Sequence, residues 1–160
     1  MEDIRRILVV TRSTKYCQKA VHYAVSLSRK YGAEIVILHV IHNPFGLKGW
    51  NLPLPSLPEL EKEYDDIFKN AKTDLDRIIA AEKATGLPIK ELIVEGDPIK
   101  KIFQVVKEEK IDLIVMLAYE QWKIEHWLFG RGTDEIIRRI PCSVLLVQKK
   151  IGELDSHHVV

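Results

Sequence analysis

Little in this chain is concentrated. Two cysteines, Cys17 and Cys142, stand far apart in 160 residues. That excludes a disulfide-dense scaffold and a multi-cysteine zinc site, and it makes a reducing, cytoplasmic compartment the expected one. Neither sign of charge dominates: 24 Lys and Arg face 23 Asp and Glu, a formal net charge of +1. A balance so close to zero gives no broad electrostatic footprint for nucleic acid or an anionic membrane surface. No apolar run approaches the roughly 18–20 residues that span a bilayer. The charged start Met1-Glu2-Asp3-Ile4-Arg5-Arg6 leads straight into a strand-like run, with no signal-peptide core after it. Internal repeats and low-complexity stretches are also missing. The six histidines show no HExxH or paired metal spacing, so no metal ligands are assigned. There is no P-loop, no nucleophile elbow and no carboxylate pair set apart for acid–base work, so no catalytic residue is assigned and an enzyme is not expected.

What is present is an ordinary globular composition, 46% apolar and 29% charged, at a length suited to one domain. The domain is expected over residues 1–150, with a flexible tail over 151–160. Ile7-Leu8-Val9-Val10 is a short branched apolar run and predicts a strand buried on both faces. A helix follows, with Tyr16, Ala20, Tyr23, Ala24 and Leu27 at helical spacing and Gly32 where a left-handed terminal residue belongs. Ala33 to Val40 predicts a second buried strand. The stretch 42–57 holds Pro44, Pro53 and Pro55 with Gly46 and Gly49, which rules out a regular element. Ser56-Leu57-Pro58-Glu59 reads as a capping box, opening a long helix whose apolar face carries Leu60, Tyr64, Ile67, Ala71, Leu75 and Ile78. Ile89 to Glu95 predicts a third strand, ended by Gly96-Asp97-Pro98. A third helix carries Ile99, Ile102, Phe103 and Val106, and Asp112 to Leu117 predicts a fourth strand. A short helix over Thr133 to Ile140 and a fifth strand over Val144 to Val147 complete the alternation. Buried strands alternating with helices predict an open five-stranded parallel sheet, helices on both faces. Ligands of such α/β sheets bind at the carboxyl ends of the strands, where strand order reverses. The loops after the first and fourth strands, Thr11 to Thr14 and Ala118 to Gly132, are therefore the candidate site.

The element order, Arg6-Ile7-Leu8-Val9-Val10, Gly96-Asp97-Pro98, Asp112-Leu113-Ile114-Val115-Met116 and the closing Arg138-Arg139-Ile140-Pro141-Cys142-Ser143-Val144-Leu145-Leu146-Val147 together resemble the universal stress protein family. The resemblance spans roughly Arg5 to Gln148 and implies a Rossmann-like fold with strand order 3-2-1-4-5. Members of that family that bind ATP carry an Asp after the first strand and the pattern G-x2-G-x9-G-[S/T] after the fourth. The matching positions here are Arg12 for the Asp, and Leu117, Glu120, Gly130 and Arg131 for the pattern. The resemblance thus implies a cleft lined by Thr11, Arg12, Val40, Leu117, Glu120, Gly130, Arg131, Gly132 and Thr133, with only Gly130 of the family type. Glycines let backbone approach phosphate closely. A carboxylate about 4 Å from a phosphate charge costs about 4 kcal/mol at an effective dielectric near 20. Leu117 and Glu120 are accordingly expected to occupy the room of a triphosphate tail, so no cofactor is expected in the family's pose. Against that, Arg12 and Arg131 bring two guanidinium groups suited to phosphate, and Gly130 to Thr133 would expose N–H groups at a helix start. Two readings follow: a non-enzymatic stress-response regulator with a degenerate nucleotide cleft, or an adenine-nucleotide binder, for ATP or AMP, with an Arg-assisted phosphate site. A third, slow nucleotide hydrolysis, lacks an identifiable base.

Tyr119, Trp122, Trp127 and Phe129 are costly to expose together. They are expected to close over the cleft or to meet a regulatory protein partner. Phe45, Trp50 and Leu54 of the Pro-rich stretch make a second interaction candidate. His39 is read as a packed histidine, Cys142 as packing, and Cys17 as a packed side chain whose place at a helix start would also suit a redox role. The fifth strand, at a sheet edge, implies by the resemblance a homodimer through Val144 to Val147 about a two-fold axis.

Overall fold

The computed structural model describes residues 3–11, 17–41, 57–118 and 138–148. Five strands, β1 (Arg6–Thr11), β2 (Glu34–Ile41), β3 (Ile89–Glu95), β4 (Leu113–Ala118) and β5 (Ser143–Gln148), alternate with helices α1 (Cys17–Tyr31), α2 (Leu57–Ala84) and α3 (Pro98–Glu108). The strands form one sheet in the order β3-β2-β1-β4-β5, and every pairing is parallel. This is the architecture that the alternation of buried runs and amphipathic helices predicts. Of the helix expected over Thr133 to Ile140, only its end is described, and Arg138 and Arg139 there are helical.

Alternation along each strand splits the core into two layers. Ile7, Val9, Ile35, Ile37, Leu113, Val115 and Leu117 pack on one face with Ala20, Val21 and Ala24 of α1 and with Leu75, Ile78 and Ile79 of α2. Leu8, Val10, Val36, Leu38, Ile114 and Met116 pack on the other with Ile102, Val105 and Val106 of α3. Both faces are covered, which is why the central strands read as unbroken apolar runs.

Two helix faces differ from the sequence reading. In α1 the buried set is Cys17, Ala20, Val21, Ala24, Val25 and Ser28, and Tyr23 is 46% exposed. Small side chains bring α1 close to the sheet, and the aromatic ring is left outside. In α2 the stripe Ala71, Leu75, Ile78 and Ile79 is buried, whereas Ile67 is 48% exposed. The cause is length. A helix of 28 residues is about 42 Å long, while strands of six to eight residues extend only about 20–27 Å. Ile67, toward the amino end of α2, therefore has no sheet beneath it, and the side chains of Leu60 and Tyr64 lie outside the described residues.

The element ends follow local chemistry. Gly32 ends α1 with φ +69°, and its N–H donates to the Ser28 carbonyl at 2.8 Å. At the amino edge the Asp112 carboxylate accepts from the N–H groups of Arg5 and Arg6, both at 2.9 Å, tying β4 to β1. The two edge strands differ. Outer strand β3 carries Glu91, paired at 2.6 Å with Lys72 and also with Lys83. A charge on the covered face of an edge strand discourages further pairing. Outer strand β5 has no charged residue, and its Val144, Leu145 and Leu146 are half-buried.

Candidate functional site

Connections from β1 run outward through β2 to β3 on one side, and β4 and β5 lie on the other. Strand order therefore reverses between β1 and β4, and the carboxyl edge at such a reversal is where open α/β sheets take ligands. Thr11 is the last residue of β1 and Ala118 the last of β4, so the fold brings the two predicted loops to one edge.

Thr11 is buried, 2% exposed. Its side chain falls on the α1–α2 face by alternation with Ile7 and Val9. Its hydroxyl donates to the Leu38 carbonyl at 3.4 Å and lies 3.5 Å from Nδ1 of His39. His39 is its register partner on β2 and is itself buried. Burial pushes the His39 pKa below its ordinary 6.5, and a hydrogen bond to the Thr11 backbone and the charge of Asp74 act in the opposite sense without cancelling it. That backbone contact favours the charged ring, so it is an acceptor, the Thr11 carbonyl. His39 was legible in the sequence only as a packed polar residue in an apolar strand. Its link to the end of β1 comes from the register.

Val40, one residue on, packs partly buried against the α3 layer. Thr11 and Val40 thus reach the carboxyl edge on opposite faces of the sheet. Leu117 corrects an expectation. Its side chain is 7% exposed and sits in the α1–α2 core with Val115 and Val147, so its bulk belongs to the packed layer beneath the edge and does not fill the space of a phosphate tail. What remains of the departure at this position is the Cβ itself, where the family pattern has none. Arg12, Glu120, Gly130, Arg131, Gly132 and Thr133 lie outside the described residues, as do the aromatic stretch Tyr119 to Phe129, the Pro-rich stretch 42–56 and the tail 151–160.

The rim beyond β2 is closed by Gly96-Asp97-Pro98. Gly96, at φ +134°, donates its N–H to the Ile41 carbonyl at 3.1 Å. The Asp97 carboxylate accepts from the Lys100 N–H at 3.0 Å, capping α3, and Pro98 occupies the first turn. This motif is structural: it sets where β3 stops and α3 begins. Neither cysteine is placed for chemistry. Cys17 is 2% exposed in the α1 core, which denies a redox role the solvent access it needs. The Cys142 thiol is pushed up to about 11 by burial and by the negative charge of Asp112. Among the described residues no group of three or more His, Cys, Asp or Glu could hold a metal ion, and no helix is long and apolar enough to cross a membrane.

Comparison with known proteins points one way. The sequence profile of the Universal stress protein family matches residues 3–148. A universal stress protein of Aquifex aeolicus is 41% identical over 120 residues, covering 71% of this chain and 83% of the relative. Universal stress protein MJ0577 of Methanocaldococcus jannaschii is 24% identical over 158 residues, covering 91% and 96%. Its solved structure superposes with a TM-score of 0.72, covering 93% of this chain and 99% of that one. A universal stress protein family structure from Arabidopsis thaliana, solved with AMP bound, superposes at 0.66 with 16% identity, covering 96% and 97%. Two further universal stress protein structures, each superposing at 0.60, are complexes with cAMP and, from Archaeoglobus fulgidus, with dAMP. At these identities the superpositions speak for the fold.

Proposed function

The chain belongs to the universal stress protein family, and from that premise we propose that it is a non-enzymatic, cytoplasmic regulator that binds an adenine nucleoside monophosphate at the carboxyl edge between β1 and β4. One observation carries this reading: the reversal of strand order at that edge, with Thr11 and Val40 framing it from the two faces. Thr11 and Val40 support a nucleoside at that edge, and Arg12 stands where the family's ATP binders carry an Asp. The phosphate end departs from the family pattern, because Leu117 and Glu120 stand where glycines would let backbone close on a tail. A single phosphate needs only a short reach, and Arg12 and Arg131 supply the residue type suited to it. That the neighbouring structures hold AMP, cAMP and dAMP supports the same ligand class.

Titration calorimetry with AMP, cAMP and ATP, with and without magnesium, tests it. Micromolar binding of AMP or cAMP, with ATP at least about ten-fold weaker, is expected, a gap of about 1.4 kcal/mol. Arg131→Ala should weaken AMP. ATP binding as tightly as AMP refutes the phosphate-end reading. The second reading, a cleft that takes no nucleotide and acts through a protein partner, is favoured by the replaced Asp at Arg12 and predicts no heat with any of the three. The uncharged edge of β5 supports assembly as a homodimer through Val144 to Val147. Light scattering should then give twice the chain mass of 18.5 kDa.

A further inference from the structure

We propose that Lys90 and Glu91 guard the β3 edge: held by ion pairs on the two faces of that strand, they keep a second copy of this chain from pairing antiparallel there, so that strand-to-strand assembly ends at β5. The guard is independent of the nucleotide reading, and only the role of β5 rests on the homodimer proposed above.

β3 is the outer strand of its side of the sheet, and Ile89, Leu92, Ile93 and Val94 in it are apolar and half-buried. An outer strand of that kind is a template for another chain. Two consecutive charges interrupt it. Pairing with β2 sets Lys90 beside Val36 and Glu91 beside Ile37, so Lys90 lies on the α3 face and Glu91 on the α1–α2 face. Each is tied to a helix of its own face. Glu91 is paired with Lys72 at 2.6 Å and with Lys83. Asp76 joins the same two ammonium groups at 2.6 and 3.1 Å, closing a ring of charges between α2 and β3. Lys90 is paired at 2.7 Å with Glu109. Glu109 caps α3, and its carbonyl accepts from Nη1 of Arg6 at 2.9 Å. The opposite edge, Ser143-Val144-Leu145-Leu146-Val147-Gln148, carries no charge at all.

A strand pairing with β3 would lie about 4.8 Å outside it. On one face its side chains would meet Glu91, 14% exposed, and on the other Lys90, 54% exposed. Contact removes the water that still solvates these charges, and only an opposite charge on the incoming strand would replace it. A second copy cannot bring one. In an antiparallel two-fold pair each face of one sheet continues into the same face of the other, and side chains alternate along the strand. Lys90 could then face only Lys90, Leu92 or Val94 of the other copy, and Glu91 only Ile89, Glu91, Ile93 or Glu95. Every choice sets the charge against an apolar side chain or against its own sign, and like charges set opposite each other are destabilising. A β5 pair strands no charge. It is also closed, because each copy spends the same edge. With both edges open, each dimer would keep two free β3 edges and growth would have no end.

The experiment compares the wild type with the double variant Lys90→Thr, Glu91→Val by light scattering from about 10 μM to about 1 mM, with amide hydrogen exchange on the same samples. The wild-type mass should level off at one value. The variant's mass should climb at least about two-fold beyond that value and fall back on dilution. Backbone amides of Ile89–Glu95 should gain protection in the concentrated variant alone. A folded variant that keeps the wild-type mass throughout overturns the guard and leaves the homodimer reading to the wild-type mass. Growth without new protection in Ile89–Glu95 also overturns the guard. A wild type that levels off as a monomer overturns the role of β5, and a variant that then doubles with β3 protected upholds the guard. Should the double variant not fold, Lys90→Thr with Glu91→Gln removes both charges while keeping the shape of Glu91, and the same two readouts decide.

Discussion

Leu117→Ala separates two accounts of a position where this chain departs from its family. If Leu117 is a core residue, as its 7% exposure and its place beside Val115 and Val147 indicate, truncation removes packed atoms and leaves a cavity. Fully burying a leucine side chain is worth about 1.5–3 kcal/mol. With the cavity contribution, Leu→Ala costs about 2–5 kcal/mol. Leu117 pairs with Val147 one residue from the end of β4, where neighbours can partly collapse, so the expected loss is about 3 kcal/mol. For a chain of this length each kcal/mol lowers Tm by about 2–4 °C, so the variant should melt about 6–12 °C lower. In urea the midpoint should fall by about 1–2 M with the slope unchanged. Wild type and variant must be measured at one protein concentration, since the proposed homodimer would make stability depend on it. ATP affinity should not improve. A loss under about 1 kcal/mol together with a gain in ATP affinity refutes the core assignment and returns Leu117 to the cleft.

Gly96→Ala should cost about 1–3 kcal/mol, because its φ of +134° suits glycine and the added Cβ would lie 3.2 Å from Cε of Lys101. Gly32→Ala, at φ +69° with nothing within 4 Å, should cost about 1–2 kcal/mol in chemical denaturation, from backbone strain alone. Stability should be full above pH 6.5 and fall as pH drops from there toward the lowered native pKa of His39, because in that window the unfolded chain binds more protons than the folded one; His39→Asn should remove that component from a pH series of urea melts. Glu91 is pushed up by burial, but the ammonium groups of Lys72 and Lys83 outweigh this and hold it below its ordinary 4.5. Its contribution is therefore present above pH 4.5 and lost as pH falls through the native value, and Glu91→Gln should flatten the acid limb of the same series. Thiol titration of the native protein at pH 8 should find neither cysteine readily reactive, since Cys17 is buried and a thiol with pKa about 11 is only about 0.1% ionised there; prompt labelling of Cys142 in the folded state contradicts this.

The linear order of residues determined the architecture. Ile7 to Val10, Ile35 to Leu38 and Leu113 to Leu117 are continuous branched runs, and only a strand covered on both faces accommodates them. Gly32 and Gly96-Asp97-Pro98 mark chain turns through backbone conformation and capping, which are local properties and so visible locally. The family's spacing added strand order and the candidate edge. Tertiary structure decided which side of each element is inside. Periodicity gave α1 an aromatic face, yet close packing on the sheet chose the small residues and left Tyr23 out. It gave α2 a stripe through Ile67, yet the sheet is too short to cover it. It offered Leu117 as an obstacle at the cleft, and pleat direction sent the side chain into the core. Most of all, His39 and Thr11 stand 28 residues apart in the chain and meet only because parallel register aligns β1 with β2. Register depends on how two strands pair across the sheet, and no stretch of either strand specifies that alone.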